Sequence, residues 1–307
     1  MHRLFGLGLL VLSSWAIGQN CTTFTVVNAF DRKTWDDIKD LQPQDFEAKV
    51  GHAVVPIVSV TPDFNNRVLV LLEIDGTKSE RIEDTVNLAI RLARQAPDGR
   101  PLAFGIFAKR SLFTKSFNTD SQERAKEIAA VIEDAPTLGQ RVALYDALHN
   151  ALAVFGQHQP GDTVLLISDG FDEASGRGGS EVAKEFEATG TRLLVEMRQP
   201  LSHVTGNFMW KPPEQDREIL EQMSLRSGGA YTMFNAYLFD FPWRGYMIGV
   251  SIPNDSQRTH KWKLRLGSAV TTAHRRTSLY YPESLPGCGS IVAKEKRAPV
   301  EGERTFH

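Results

Sequence analysis

The sequence predicts an α/β protein: a doubly wound, mainly parallel sheet with helices on both faces, plus a small β-rich subdomain built from the two ends of the chain. Three observations predict it. Between residues 65 and 239, short continuous apolar runs alternate with segments of helical period. Apolar runs without polar alternation suit strands buried on both faces, and intervening helices supply the crossovers that parallel strands need. The flanks, Thr22–Pro62 and Tyr246–Tyr281, are instead rich in β-branched residues divided by polar turns.

The elements follow in order. "TFTVVNAF" and "AVVPIVSV" read as strands, and "LQPQDFEAKVGH" between them as a turn-like connection carrying one apolar aromatic, Phe46. "RVLVLLEI" is a buried strand. In "ERIEDTVNLAIRLARQ", Ile82, Val86, Leu88 or Ala89, Leu92 and Ala93 form one helical face. "LAFGIFAK" is a strand, and "SQERAKEIAAVIEDA" and "VALYDALHNALAVFG" are helices. "TVLLISD" and "TRLLVEMR" are strands around the helix "GSEVAKEFEATG", which stops at glycine. "PEQDREILEQMSLRSGG" is a helix with proline at its start and glycines at its end. "YMIGVSI", "HKWKLRL" and "TTAHRRTSLYY" are the closing strands, separated by "PNDSQ" and "GS". Phe208, Met209, Trp210 and "FDFPWRGY" are expected at the junction between the two parts.

The chain has 307 residues, 41% of them hydrophobic, enough for one large core or two small ones. Its formal net charge of -2 provides no basic field for nucleic acid. The start carries His2 and Arg3, an apolar stretch from Leu4 to Ile17, and a small-residue site that places cleavage between Gly18 and Gln19. This predicts export to a periplasmic or secreted location, with no membrane span left after cleavage. Cys21 and Cys288 are the two cysteines, and an oxidising compartment would pair them. The expected divisions are 1–18 signal peptide, 19–64 β segment, 65–239 α/β domain, 240–288 β segment packed on the first, and 289–307 a disordered charged tail.

The stretch "EIDGTKS" ends the first apolar run of the central region and admits two chemistries. Haloacid-dehalogenase-like phosphatases carry D-x-D-G-T there, but Glu73 occupies the nucleophile position. One extra methylene displaces the attacking oxygen, and no lysine motif follows, so the phosphatase is the lesser alternative. The other chemistry is cation binding. Asp75, Thr77 and Ser79 place a carboxylate and two hydroxyls at alternate positions of a tight loop, as a hard ion wanting about six oxygens requires. Asp169, after the run "TVLLIS", stands at a later strand end and completes the candidate set. The bland alternative for each is a helix cap or a turn.

Asp75-Gly76-Thr77-Lys78-Ser79 resembles the D-x-S-x-S of the metal-ion-dependent adhesion site in von Willebrand factor type A domains. "GQRVALYDAL" resembles the loop G-G-T-A-L-Y-D-A-L of bacterial exported members of that family. "LQPQDFEAK" and "RGYMIGVSIPND" with the later "LYYPE" resemble the segments before and after their A domain. The resemblance implies a von Willebrand factor A-like fold and a non-enzymatic, exported protein-binding module for adhesion or assembly. It also implies weakly held Mg²⁺ or Mn²⁺ and a partner protein whose carboxylate bridges that metal. It departs at Val142, which stands where the family has the threonine ligand, with Thr137 five residues upstream as a substitute only if the loop is rebuilt. A structural or assembly protein with a decayed metal site is the alternative. Asp146 is expected to steady its helix, His149 to lie at a boundary, and Asp172–Gly179 to form a flexible loop near the site.

Overall fold

The computed structural model describes residues 20–288, apart from Asp63, 75–86, 95, 97–98, 199–213, 234–240, 255–258 and Arg275. The segments expected to be a signal peptide and a charged tail, and Phe208, Met209 and Trp210, lie outside the described residues. The chain opens with β1 (Asn20–Asp31), β2 (Phe46–Val50), β3 (Ala53–Val55) and β4 (Ile57–Pro62). It continues with β5 (Val68–Glu73), α1 (residues 87–94), β6 (Leu102–Phe107), β7 (Ser111–Phe113), α2 (Ser121–Glu133) and α3 (Leu144–Val154). Next come β8 (Thr163–Ser168), α4 (Gly179–Thr189), β9 (Arg192–Met197), α5 (Glu214–Arg226) and β10 (Tyr231–Met233). It closes with β11 (Tyr246–Pro253), β12 (His260–Leu266), α6 (Ser268–Ala273), β13 (Thr277–Tyr280) and β14 (Ser284–Leu285).

Among the described residues the central sheet has the order β10-β9-β8-β5-β6-β7. All neighbours are parallel except β7, which returns antiparallel on β6. Strand β5 is its hub. Val68, Val70, Leu72 and Ile74 pack with Leu88, Ala89 and Leu92 of α1 and Ile128 of α2. Leu69 and Leu71 face the other way, into a cluster with Leu148 and Ala151 of α3, Phe186 of α4 and Leu220 of α5. Helices therefore cover both faces, and the expected doubly wound α/β fold is the one observed. At the far edge Gly229 permits β10 to approach, since a Cβ there would lie 1.8 Å from the Leu193 carbonyl oxygen.

The two flanks fold together. Strand β1 lies between β11 and β13, and β4 extends that sheet, while a second sheet runs β14-β12-β2-β3. Val27, Ile248, Val250, Trp262 and Leu264 fill the space between the two. Cys21 and Cys288 form a disulfide there, with Cα atoms 6.2 Å apart. The subdomain docks at the start of the central strands. Arg192, 1% exposed, donates to Asn28 Oδ1 at 3.0 Å, and Asn28 donates to the Arg244 carbonyl at 2.8 Å. Phe241 and Trp243 are buried at this junction, as expected of "FDFPWRGY".

Three sequence expectations change. The connection around Phe46 contains strand β2, whose buried-exposed alternation rests on Phe46 and Ala48 between charged neighbours. "AVVPIVSV" is two strands in different sheets, because Pro56 has no N–H for a continuous ladder and the chain turns there. "TTAHRRTSLYY" begins inside helix α6. Its Thr271 and Thr272 hydroxyls bond back to the Gly267 and Ser268 carbonyls, an outlet that β-branched composition does not reveal. Strands β7, β10 and β14 lie in stretches too short to signal themselves.

The disulfide spans 267 positions of sequence, so it restricts the unfolded chain strongly. Replacing both cysteines by serine is expected to lower stability by at most about 5–6 kcal/mol, the value the chain-entropy model gives for so long a loop. Thermal unfolding of wild type and Cys21→Ser/Cys288→Ser checks this, and equal Tm values would show that the bridge constrains nothing.

Candidate functional site

In the central sheet the strand order reverses direction between β5 and β8, so the crossovers leave on opposite sides. A crevice opens beyond the carboxyl ends of two such strands. Glu73 ends β5, and Ser168 and Asp169 end β8. The Glu73 carboxylate accepts from Ser168 Oγ at 2.5 Å and from the Asp169 N–H at 3.1 Å. Gly170 N–H donates to Ser168 Oγ at 2.8 Å, and Phe171 N–H to Asp169 Oδ1 at 3.0 Å. Burial, followed by the charge of Asp169, pushes the Glu73 carboxyl up to about 8. A half-buried, largely protonated carboxyl already engaged in hydrogen bonds is a poor nucleophile, which counts against the phosphatase alternative.

Of the sequence-predicted ligands, Asp169 is at this crevice, while Asp75, Thr77 and Ser79 lie outside the described residues. Among the described residues no group of three His, Cys, Asp or Glu side chains is arranged to hold a metal. Val142 is 8% exposed and belongs to the α3-side core, so it brings methyl groups rather than oxygen to this loop. Thr137 does not substitute for it: its hydroxyl donates to the Asp134 carbonyl at 2.7 Å, on an exposed turn. The described donors thus fit a hard cation in charge, through Asp169, and fall short in number.

The loop after Asp169 carries the residues that the sequence reading undervalued. Helix α3 begins at Leu144 after Ala143, which has no side chain to cap it. Capping comes from across the crevice. Asp172 Oδ1 accepts from Leu144 N–H at 2.8 Å, and Ser175 Oγ accepts from Tyr145 and Asp146 N–H at 3.0 and 3.1 Å. Glu173 Oε2 accepts from Val142 N–H at 3.0 Å, while the Val142 carbonyl accepts from Glu173 and Ala174 N–H. Asp146 reciprocates, accepting from Gly176 and Arg177 N–H at 2.9 and 3.2 Å. The segment expected to be a flexible loop is therefore pinned to the helix start at both ends. Asp146 does steady its helix, through this loop, and His149 sits at the boundary, 2.7 Å from Glu185 Oε2. The acidic and hydroxyl-rich spelling "DEAS" four positions after a strand end was the available signal, but only the fold shows which N–H groups it meets.

Glu196 on β9 was also missed. It is 8% exposed, and its Oε2 has no hydrogen-bond partner among the described residues. Burial raises its carboxyl to about 7, against the opposing pull of Arg198 and Arg91.

No protein-family model matches the sequence, and no curated protein matches it as a relative. Solved structures similar to the chain include BatB from Bacteroides thetaiotaomicron. It is 18% identical, with 55% of this chain and 90% of that one covered, at a TM-score of 0.42. A von Willebrand factor type A structure from Catenulispora acidiphila is 10% identical, with 89% and 75% covered, at 0.44. Proximal thread matrix protein 1 from the mussel byssus, with a zinc-occupied MIDAS motif, is 14% identical, with 59% and 46% covered, at 0.43. The fold assignment rests on strand order and loop placement, not on these likenesses.

Ser175→Ala strips an acceptor from two helix N–H groups, and a lost cap costs about 0.5–2 kcal/mol. Urea unfolding should show Ser175→Ala and Asp172→Ala each destabilised in that range, and the double variant less than additive because Ser175 Oγ donates to Asp172 Oδ1 at 2.5 Å. For Glu196 the sign follows from its raised value. Stability is complete below the unfolded 4.5 and falls as pH climbs through about 7, because the buried carboxyl must then ionise. Glu196→Gln should therefore raise Tm above wild type near pH 8 and leave it nearly unchanged near pH 4; an equal gain at both would assign the effect to packing.

Proposed function

We propose that this chain is an exported, von Willebrand factor A-type protein-binding module, working in adhesion or assembly rather than catalysis. The observation that supports it is the stitching of the β5 and β8 ends at the point where strand order reverses. It sets Asp169 beside the residue two positions before Asp75. In this reading Asp75, Thr77, Ser79 and Asp169 hold Mg²⁺ or Mn²⁺, and a carboxylate of the partner protein completes the coordination. When bound, the ion supplies a positive charge to which an acidic partner residue can attach. The mussel thread protein, whose MIDAS motif carries zinc, is a precedent for metal at such a motif. The periplasm or the extracellular space is the location in this reading, in keeping with the disulfide.

Val142 favours a second reading, a structural or assembly protein whose metal site has decayed. Its side chain is part of the apolar core, and valine in place of a hydroxyl removes one ligand.

Val142→Thr separates the two. It restores an oxygen at similar volume, and burying that hydroxyl without a metal costs about 1–3 kcal/mol. Titration calorimetry should show Mg²⁺ or Mn²⁺ binding more tightly to Val142→Thr than to wild type, and no binding once Asp75→Ala is added. Absence of binding in wild type and Val142→Thr alike would leave the decayed-site reading.

A further inference from the structure

We propose that the cleft between the β6–β7 turn and the start of α3 holds an acidic segment of a partner protein by charge alone, without a bridging metal. The inference deepens the protein-binding reading above and rests on it. The cleft measures about 460 Å³ and is lined by Lys109, Arg110, Ser111, Asp146, Asn150 and Arg177, with His149 beside them. What matters is which of these charges are already answered. Lys109 is exposed, and its ammonium has no hydrogen bond or ion pair among the described residues. Arg110, also exposed, donates from Nη2 to the Thr137 carbonyl, a neutral acceptor that leaves the guanidinium charge uncompensated. Arg177 is different, since it pairs with Glu181 at 2.9 Å and approaches Glu185 at 3.8 Å.

Among the described residues two carboxylates lie near these cations. Both oxygens of Asp146 accept from backbone N–H groups of the 172–178 loop, neutral donors that orient the carboxylate and leave its charge in the cleft wall. Glu185 is engaged by His149 as well as Arg177. Among the described residues Lys109 and Arg110 thus face the cleft without an ion pair, against the single charge of Asp146, in a chain whose overall formal charge is -2. This local positive charge is not a by-product of a basic protein. A carboxylate, like a phosphate, suits a guanidinium and an ammonium side by side, and a partner protein carries carboxylates in its own sequence.

The cleft is also preorganised and well placed. Asn150 Nδ2 donates to Ser111 Oγ at 3.0 Å, joining α3 to β7 across the cleft floor. Arg110 N–H bonds the Leu138 carbonyl and Ala143 N–H bonds the Ala108 carbonyl, so the wall of the cleft is zipped to the 138–143 loop. Ile74 N–H bonds the Phe107 carbonyl, so Lys109 and Arg110 follow by two and three residues the point where β6 meets the end of β5. An acidic segment lying across the crevice would reach Lys109 and Arg110 directly. Two uncompensated cations are too few for nucleic acid, whose affinity grows with the number of phosphates neutralised.

The test uses a fluorescein-labelled oligoglutamate peptide and fluorescence anisotropy on the mature chain, in EDTA at low salt. The peptide should bind, and added salt should weaken it as expected for partly exposed charge. Lys109→Glu/Arg110→Glu should lose about tenfold or more in affinity, and the milder Lys109→Gln/Arg110→Gln should lose less, each with an unchanged Tm. Lys263→Glu, on the exposed face of β12, should bind as wild type does, and so should Asp169→Asn in EDTA. Binding that ignores the charge reversal, binding that requires Mg²⁺ and vanishes in Asp169→Asn, or no binding at all would each overturn the inference. Equal affinity for a labelled oligothymidylate of matched charge would overturn it too. Any of these, alongside tighter Mg²⁺ binding by Val142→Thr, would leave the protein-binding reading standing.

Discussion

Burial of β5 on both faces is the constraint from which the rest of the structure follows. Val68 to Leu72 are each at most 1% exposed, and parallel neighbours flank the strand on both edges. Each such side chain removed from water contributes on the order of 1.5–3 kcal/mol, so the strand admits no polar group along its length. Polarity is pushed to its two ends. At the start, Arg67 holds the buried Asp162 bidentately, at 2.9 and 2.6 Å, and reaches the Phe155 carbonyl. At the finish, Glu73 gathers Ser168 and Asp169. One end is a closed structural lock, and at the other the crossovers part to opposite faces of the sheet, where the proposed site lies.

The open end is stiffened by exchange between loops rather than by a core. Helix α3 has no cap of its own, and the segment after Asp169 provides one in three hydrogen bonds, with Asp146 returning two. The position of Val142 is fixed by the same exchange, through its own N–H and carbonyl. A ligand arriving at the crevice meets backbone held in place beforehand. The ordering cost on that side is met by folding, which is how preorganised sites gain affinity.

The flanking subdomain solves a different problem. Its two sheets are short, and their strands come from opposite ends of the sequence, so forming them requires closing nearly the whole chain. The Cys21–Cys288 bridge removes much of that cost from the unfolded ensemble. The reward is a sandwich core and a footing beneath the central sheet, with Arg192 and Asn28 as the shared contact.

The sequence by itself determined the alternation of strand and helix between Arg67 and Arg226, because continuous apolar runs and helical periods report burial that is local to each element. It also determined that Asp75, Thr77, Ser79 and Asp169 follow apolar runs. Tertiary structure alone decided the rest. The split of "AVVPIVSV" between two sheets depends on which partner each half finds, with Pro56 as the hinge. Helix α6 depends on back-bonds that threonine can make in either conformation. Asp172, Glu173 and Ser175 became caps because folding brought a distant helix start within hydrogen-bond reach. Lys109 and Arg110 became a docking candidate because the fold sets them side by side at a cleft without an ion pair among the described residues. A residue's type fixes which bonds it can make, but only the fold decides which of its possible partners are near and still free.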